Sequence, residues 1–115
     1  MVPAVSAQVA CEGGASAVVE APRGLTLCRD SVKVPVVTHD EPQAGIRVAS
    51  LDADSPFARA GLTAGDVIYR VRFTRVTTAD EVLKALGGLK GEHGLVVNFW
   101  RGDQPYLVRV WIGNP

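Results

Sequence analysis

Residues 45–76 read GIRVASLDADSPFARAGLTAGDVIYRVRFTRV, and this stretch decides the architecture. Ile46 to Leu51 has the composition of a strand led by Gly45. Ser55-Pro56 is a helix start: the serine hydroxyl can take a free amide, and proline at the first helical position has no N–H to leave unpaired. The stop is Gly61, which reaches the left-handed conformation that ends helices. Ala64-Gly65-Asp66 then turns the chain into Val67-Ile68-Tyr69-Arg70-Val71, a second strand. The spacing predicts a strand over 45–51, a one-turn helix over 56–60, a strand over 66–72 and a brief strand at Arg75-Val76.

Toward the C-terminus, Thr78-Ala79-Asp80-Glu81 is a capping box. A helix is expected over 79–87, ending at Gly87-Gly88, with Val82, Ala85, Leu86 and Leu89 as its apolar stripe. Residues 95–100 and 106–112 flank Arg101-Gly102-Asp103-Gln104-Pro105 and predict a hairpin turned at Gly102-Asp103. Toward the N-terminus, residues 1–16 are rich in Ala, Gly, Ser and Val and read as a flexible linker or arm, which leaves 17–115 as a single domain. Residues 17–20 read either as a short strand or as the end of that linker. Leu25 to Cys28, after Pro22-Arg23-Gly24, is expected to be the first strand of the domain proper. Pro35 cannot donate to a ladder, so residues 32–37 suit an edge, and residues 39–45 read as a turn. The fold class is mainly β with two helices: a five- to six-stranded antiparallel β-sandwich or partly open barrel capped by helices.

With 115 residues, of which 47% are apolar, the chain can bury one core. Twelve basic and twelve acidic residues balance, so no basic face announces nucleic acid. There is no apolar run of about 20 residues to span a bilayer, and the first ten residues lack the basic start of a signal peptide. Two cysteines, Cys11 and Cys28, lack metal-binding spacing. They read either as a disulfide tying the arm to the domain or as two unpaired thiols; unpaired thiols are the expectation, because spacing alone does not bring two cysteines together. His39-Asp40 and His93 lie in polar turns without a nucleophile motif, so no catalytic residue is assigned. Asp66 suits the satisfaction of turn amides. No metal or other cofactor is expected.

Gly45, Ser55-Pro56, Ala60-Gly61-Leu62 and Gly65-Asp66-Val67-Ile68 together resemble the middle of a PDZ domain, in the form carried by bacterial serine proteases of the Deg/HtrA type. The resemblance runs from about Arg23 to Ile112. It implies the PDZ-like fold and a non-catalytic module that binds the C-terminus of a partner. The peptide would add as a strand to a sheet edge beside the longer helix, its carboxylate held by consecutive backbone amides. The family's carboxylate loop is best matched by Arg23, Gly24, Leu25, Thr26 and Leu27. Thr26 stands where that motif has glycine; if φ must be positive there, a β-branched residue is penalised. Ala79, Leu83 and Leu86 take the first, fifth and eighth positions of the longer helix and border the groove. Without histidine at the first position, nothing there accepts the hydroxyl of a serine or threonine near the peptide end, and an apolar or permissive preference is expected. With Leu25, Leu27, Ala79, Leu83 and Leu86 lining one slot, the partner's last residue is expected to be apolar. Phe73, between Arg72 and Thr74 in a turn where relatives carry Asn-Gly, is a candidate contact for a partner or parent domain.

The resemblance further implies a part of a larger protein, in the cell envelope or periplasm of a bacterium, with the cytoplasm left open. There it would serve a protease as a substrate-capture or regulatory domain. The alternative is a PDZ-like scaffold or oligomerisation domain that joins subunits or domains without gripping a peptide. The sequence sets no oligomeric state.

Overall fold

The computed structural model describes residue 11 and residues 18–21, 23–34, 43–87 and 93–112. Among them, seven strands and two helices follow in the order β1 (Val18–Ala21), β2 (Leu25–Val34), β3 (Gln43–Leu51), α1 (Pro56–Ala60), β4 (Val67–Val71), β5 (Thr74–Arg75), α2 (Ala79–Gly87), β6 (His93–Arg101) and β7 (Gln104–Ile112). Every strand pairing is antiparallel. The sheet runs β1-β2-β3-β4-β6-β7 without closing into a barrel, and β5 pairs with β4. The mostly β, two-helix antiparallel architecture is therefore the observed one. The strand count rises to seven because residues 18–21 are a strand, which makes Leu25–Val34 the second strand of the domain. The expected 1–16 arm, apart from Cys11, lies outside the described residues, as do the 35–42 segment with His39 and the stripe residue Leu89.

The short helix forms for the reasons its sequence gives. The Ser55 hydroxyl oxygen accepts the Phe57 amide at 3.1 Å, and Gly61 ends the helix at φ 115°. The Gly61 amide then donates to the Ala58 carbonyl and the Leu62 amide to the Phe57 carbonyl, which closes the cap. At α2 the Thr78 hydroxyl accepts the Glu81 amide at 3.1 Å. The Glu81 carboxylate accepts in return from the amides of Thr77 at 2.8 Å and Thr78 at 3.2 Å.

One core joins the sheet to both helices. Leu25, Leu27, Ile46, Val48, Phe57, Ile68, Val82, Leu86, Val97 and Phe99 are among its buried members. β3 meets β4 through only two register pairs, Ile46 with Ile68 and Arg47 with Val67. The contact is extended by the Ala64-Gly65-Asp66 turn: the Gly65 amide donates to the Val48 carbonyl, and the Val48 amide to the Asp66 carbonyl. Gly45 permits this approach, since a Cβ there would lie 2.6 Å from Val67 Cγ1 and 2.7 Å from the Ile68 carbonyl oxygen.

Asp66 is 1% exposed. Its carboxylate accepts the Thr63 amide at 2.8 Å, as a turn aspartate should. It also accepts Arg101 Nε at 2.9 Å and Arg101 Nη2 at 2.8 Å. Arg101 Nη2 donates in addition to the Gly61 carbonyl at 2.7 Å. The guanidinium lies over the rings of Phe99 and Tyr106, 5.3 and 5.5 Å from their centroids.

Asp66→Ala leaves the Thr63 amide and the Arg101 fork unpaired, and is expected to cost about 1–3 kcal/mol in urea unfolding. Arg101→Lys keeps the charge but not the fork, and should lose a smaller part. The Thr77 amide, then the Thr77 hydroxyl and Thr78, hold the Glu81 carboxyl below its ordinary range. A depressed carboxyl adds stability above its unfolded pKa and loses it as pH falls through the folded one. A proton titration of Glu81 by NMR should place its midpoint below the usual glutamate range, and in Glu81→Gln the stability lost as pH falls through that midpoint should shrink.

Candidate functional site

Two observations build the site: a tight turn at residues 23–24 and the strand it folds back onto β2. Arg23 and Gly24 both have positive φ, 69° and 75°. This reverses the chain within the three residues that separate Ala21 from its partner Leu25. Glycine at 24 is required twice over. Its φ is left-handed, and a Cβ would lie 2.8 Å from Asp52 Oδ2 and 2.9 Å from Asp52 Cβ. The turn is docked on the end of β3, where the Asp52 amide donates to the Gly24 carbonyl at 2.9 Å.

β1 then runs antiparallel along β2, with Ala21 opposite Leu25, Glu20 opposite Thr26, Val19 opposite Leu27 and Val18 opposite Cys28. Its side chains alternate. Val18 and Glu20 face solvent, while Val19 and Ala21 are half-buried. Ala21 packs against the main core. Val19 lines a cleft of about 320 Å³ with Arg29, Thr78, Ala79 and Asp80. The edge of β2 beside α2, where an added peptide is expected, is thus filled by the chain's own segment.

Cys11 and Cys28 are joined by a disulfide, which corrects the expectation of two unpaired thiols. The physical reason is the fold-back: β1 lies on β2 with Val18, seven positions after Cys11, directly opposite Cys28. Both sulfur-bearing residues are buried, clustered with Ala49 apart from the main core.

The expected loop residues divide. Arg23 and Gly24 form the turn. Leu25 and Leu27, 1% and 0% exposed, are core. Thr26 is half-buried in β2 between Glu20 and Ser50. The positive φ angles fall on Arg23 and Gly24, so the β-branched penalty at Thr26 does not arise. Of the helix residues, Ala79 lines the cleft with Val19, and Leu86 joins Leu25 and Leu27 in the core. Leu83 is half-buried and lines neither that cleft nor a larger one of about 570 Å³ between the β4–β5 turn and α2. Phe73 stands far from these residues in sequence and environment: it is 69% exposed at the tip of the β4–β5 hairpin. Arg72 and Phe73 have φ of 56° and 67°, a left-handed pair of the kind that Asn-Gly adopts at little cost.

Sequence reasoning left Val19 and Ala21 out of the site. The signal was present in their alternation with exposed Val18 and Glu20, but four residues are too few to separate a strand from a linker. Among the described residues, no three His, Cys, Asp or Glu side chains gather as a metal site, and no helix is long and apolar enough to cross a membrane. His93 opens β6, opposite Ile112.

The model of the PDZ domain family matches residues 22–112. No curated protein matches the chain. Among solved structures, the crystal structure of the HtrA3 PDZ domain bound to a phage-derived ligand (FGRWV) is similar in fold. It is 19% identical, with a TM-score of 0.53 over 75% of this chain and 84% of that one.

Gly24→Ala should cost about 1–2 kcal/mol for left-handed backbone alone, with the Asp52 contact added. Hydrogen exchange should locate the loss at residues 18–26, while β6 and β7 keep their protection.

Proposed function

The chain belongs to the PDZ domain family, and on that premise we propose that it recognises extended C-terminal peptides by strand addition at the β2 edge. One observation carries the reading. That edge already holds an antiparallel strand whose C-terminal residue, Ala21, lies at the Arg23-Gly24 turn. A peptide with its carboxylate at this loop would run in the same direction. β1 also indicates what the edge accepts: a small apolar residue against the core and a second apolar residue, two positions earlier, against Ala79. These contacts support a partner that is a C-terminal peptide with an apolar last residue. The Arg23–Leu27 backbone receives the carboxylate, Ala79 borders the groove, Leu86 backs it from the core, and Leu83 is assigned to it by its position on the same helix alone. The peptide-bound HtrA3 PDZ domain, similar in fold, supports this reading.

Within a longer protein, the module would capture substrate for, or regulate, a bacterial envelope protease. The Cys11–Cys28 bond supports an oxidising compartment such as the periplasm.

The occupied edge also favours a second reading, a PDZ-like scaffold that joins subunits or domains. Phe73 would then be a contact point, exposed on a turn that holds it away from the core.

A C-terminal peptide library screened against both the oxidised and the reduced chain separates the two. Selection of peptides with apolar last residues, and at least a tenfold loss of affinity on amidation, is the expected result. Losing each charge-assisted bond costs about 1.5–3 kcal/mol. Equal binding of free and amidated forms, or no selection in either redox state, favours the scaffold.

A further inference from the structure

We propose that β1 is a resident ligand of the β2 edge, kept there by the Cys11–Cys28 disulfide, so that binding a peptide in trans requires its release. The inference rests on the peptide-recognition reading and adds to it a regulatory element.

β1 behaves as an occupant of the fold more than as a part of it. None of its four residues is buried. Among the described residues, the buried main core includes none from β1, and Ala21 only packs against its surface. Among the described residues, β2 is its sole strand partner. Its polarity is that of a peptide ending at the Arg23-Gly24 turn, and its inward residues, Ala21 and Val19, take the places that such a peptide's last and antepenultimate side chains would take.

The disulfide sets how this strand can leave. Cys11 and Cys28 are seventeen positions apart, and β1 lies wholly inside that covalent ring. The turn at 23–24 pins one end of the strand, and the sulfur bridge, buried against Ala49, pins the approach to the other. With the bridge closed, β1 can only bulge out as a loop. With it open, β1 is held by the turn alone. Opening by a dithiol balances: Cys11 and Cys28 each gain one electron and one proton, and the dithiol becomes a disulfide.

The probe is a labelled synthetic peptide of residues 16–21, Ser-Ala-Val-Val-Glu-Ala, with a free C-terminus. It is titrated into the oxidised full chain, the chain reduced with dithiothreitol, and reduced Val19→Pro/Glu20→Pro. The double substitution removes the amide of whichever of these neighbouring residues donates to β2. The expected result is weakest binding to the oxidised chain, a gain on reduction, and at least a tenfold gain for the reduced double variant. If that variant remains folded yet binds no better than the oxidised chain, β1 is an integral strand and the inference fails. The peptide reading survives that result if library peptides bind the oxidised chain. Absence of binding to the probe and the library by every form overturns both. Should the double variant unfold, hydrogen exchange on the wild-type chain decides. Amides 18–21 should lose at least tenfold protection on reduction while β6 and β7 keep theirs; unchanged protection at 18–21 overturns the proposal.

Discussion

The geometry of the sheet depends on a buried carboxylate. Asp66 accepts from the Thr63 amide and from the Arg101 fork, while Arg101 also caps the Gly61 carbonyl. The end of α1, the entry to β4 and the β6–β7 hairpin are tied at one point. The backbone of the same turn completes the short β3–β4 ladder at Val48. β3 carries β2, and β2 carries β1. A displaced Asp66 would therefore be felt at the far edge, where no side chain touches it. Burial of the carboxylate demands several donors at once, since an ion removed from water without full pairing costs several kcal/mol. That demand fixes the turn to a narrow set of conformations. The guanidinium meets it from a half-exposed position, with two aromatic rings beneath.

The parts of the fold legible in the sequence are those whose signal is local. Ser55-Pro56 and Gly61 bracket a helix because capping is decided within a few residues. Thr78 and Glu81 identify each other across one helical turn. Gly102 between two apolar runs marks a hairpin, and its φ of 65° explains why glycine stands there. Asp66 was legible as a turn residue, whereas its bond to Arg101 spans 35 positions, and nothing local at either end names the other. Gly45 was recognised as leading a strand; that it faces the Ile68 carbonyl depends on the register of a neighbour not fixed by its own surroundings.

The candidate site was legible as a stretch of residues and not as a surface. Arg23 to Leu27 were identified together, but strand alternation sends Leu25 and Leu27 into the core and leaves only backbone at the edge. The concern over Thr26 dissolves because the hairpin places its left-handed residues one turn earlier, and a β-branched side chain suits the strand it occupies. The unrecognised component was the short N-terminal segment. Its composition overlaps that of a linker, and its pairing becomes visible only when the 23–24 reversal and the sulfur bridge are seen together.

The direct connection of β1 to β2 through three residues has a consequence for dose. A tethered segment meets its site at an effective concentration in the range of about millimolar for short flexible links, independent of how much protein is present. A visiting chain must exceed that standing competitor, and its apparent affinity falls by the fraction of time the edge is vacant. The visitor's distinguishing asset is its terminal carboxylate, which a segment continuous with β2 does not possess. As a resident ligand, β1 would make the edge ignore sparse, weakly fitting chain ends and answer only those both well matched and locally abundant, as a threshold element does.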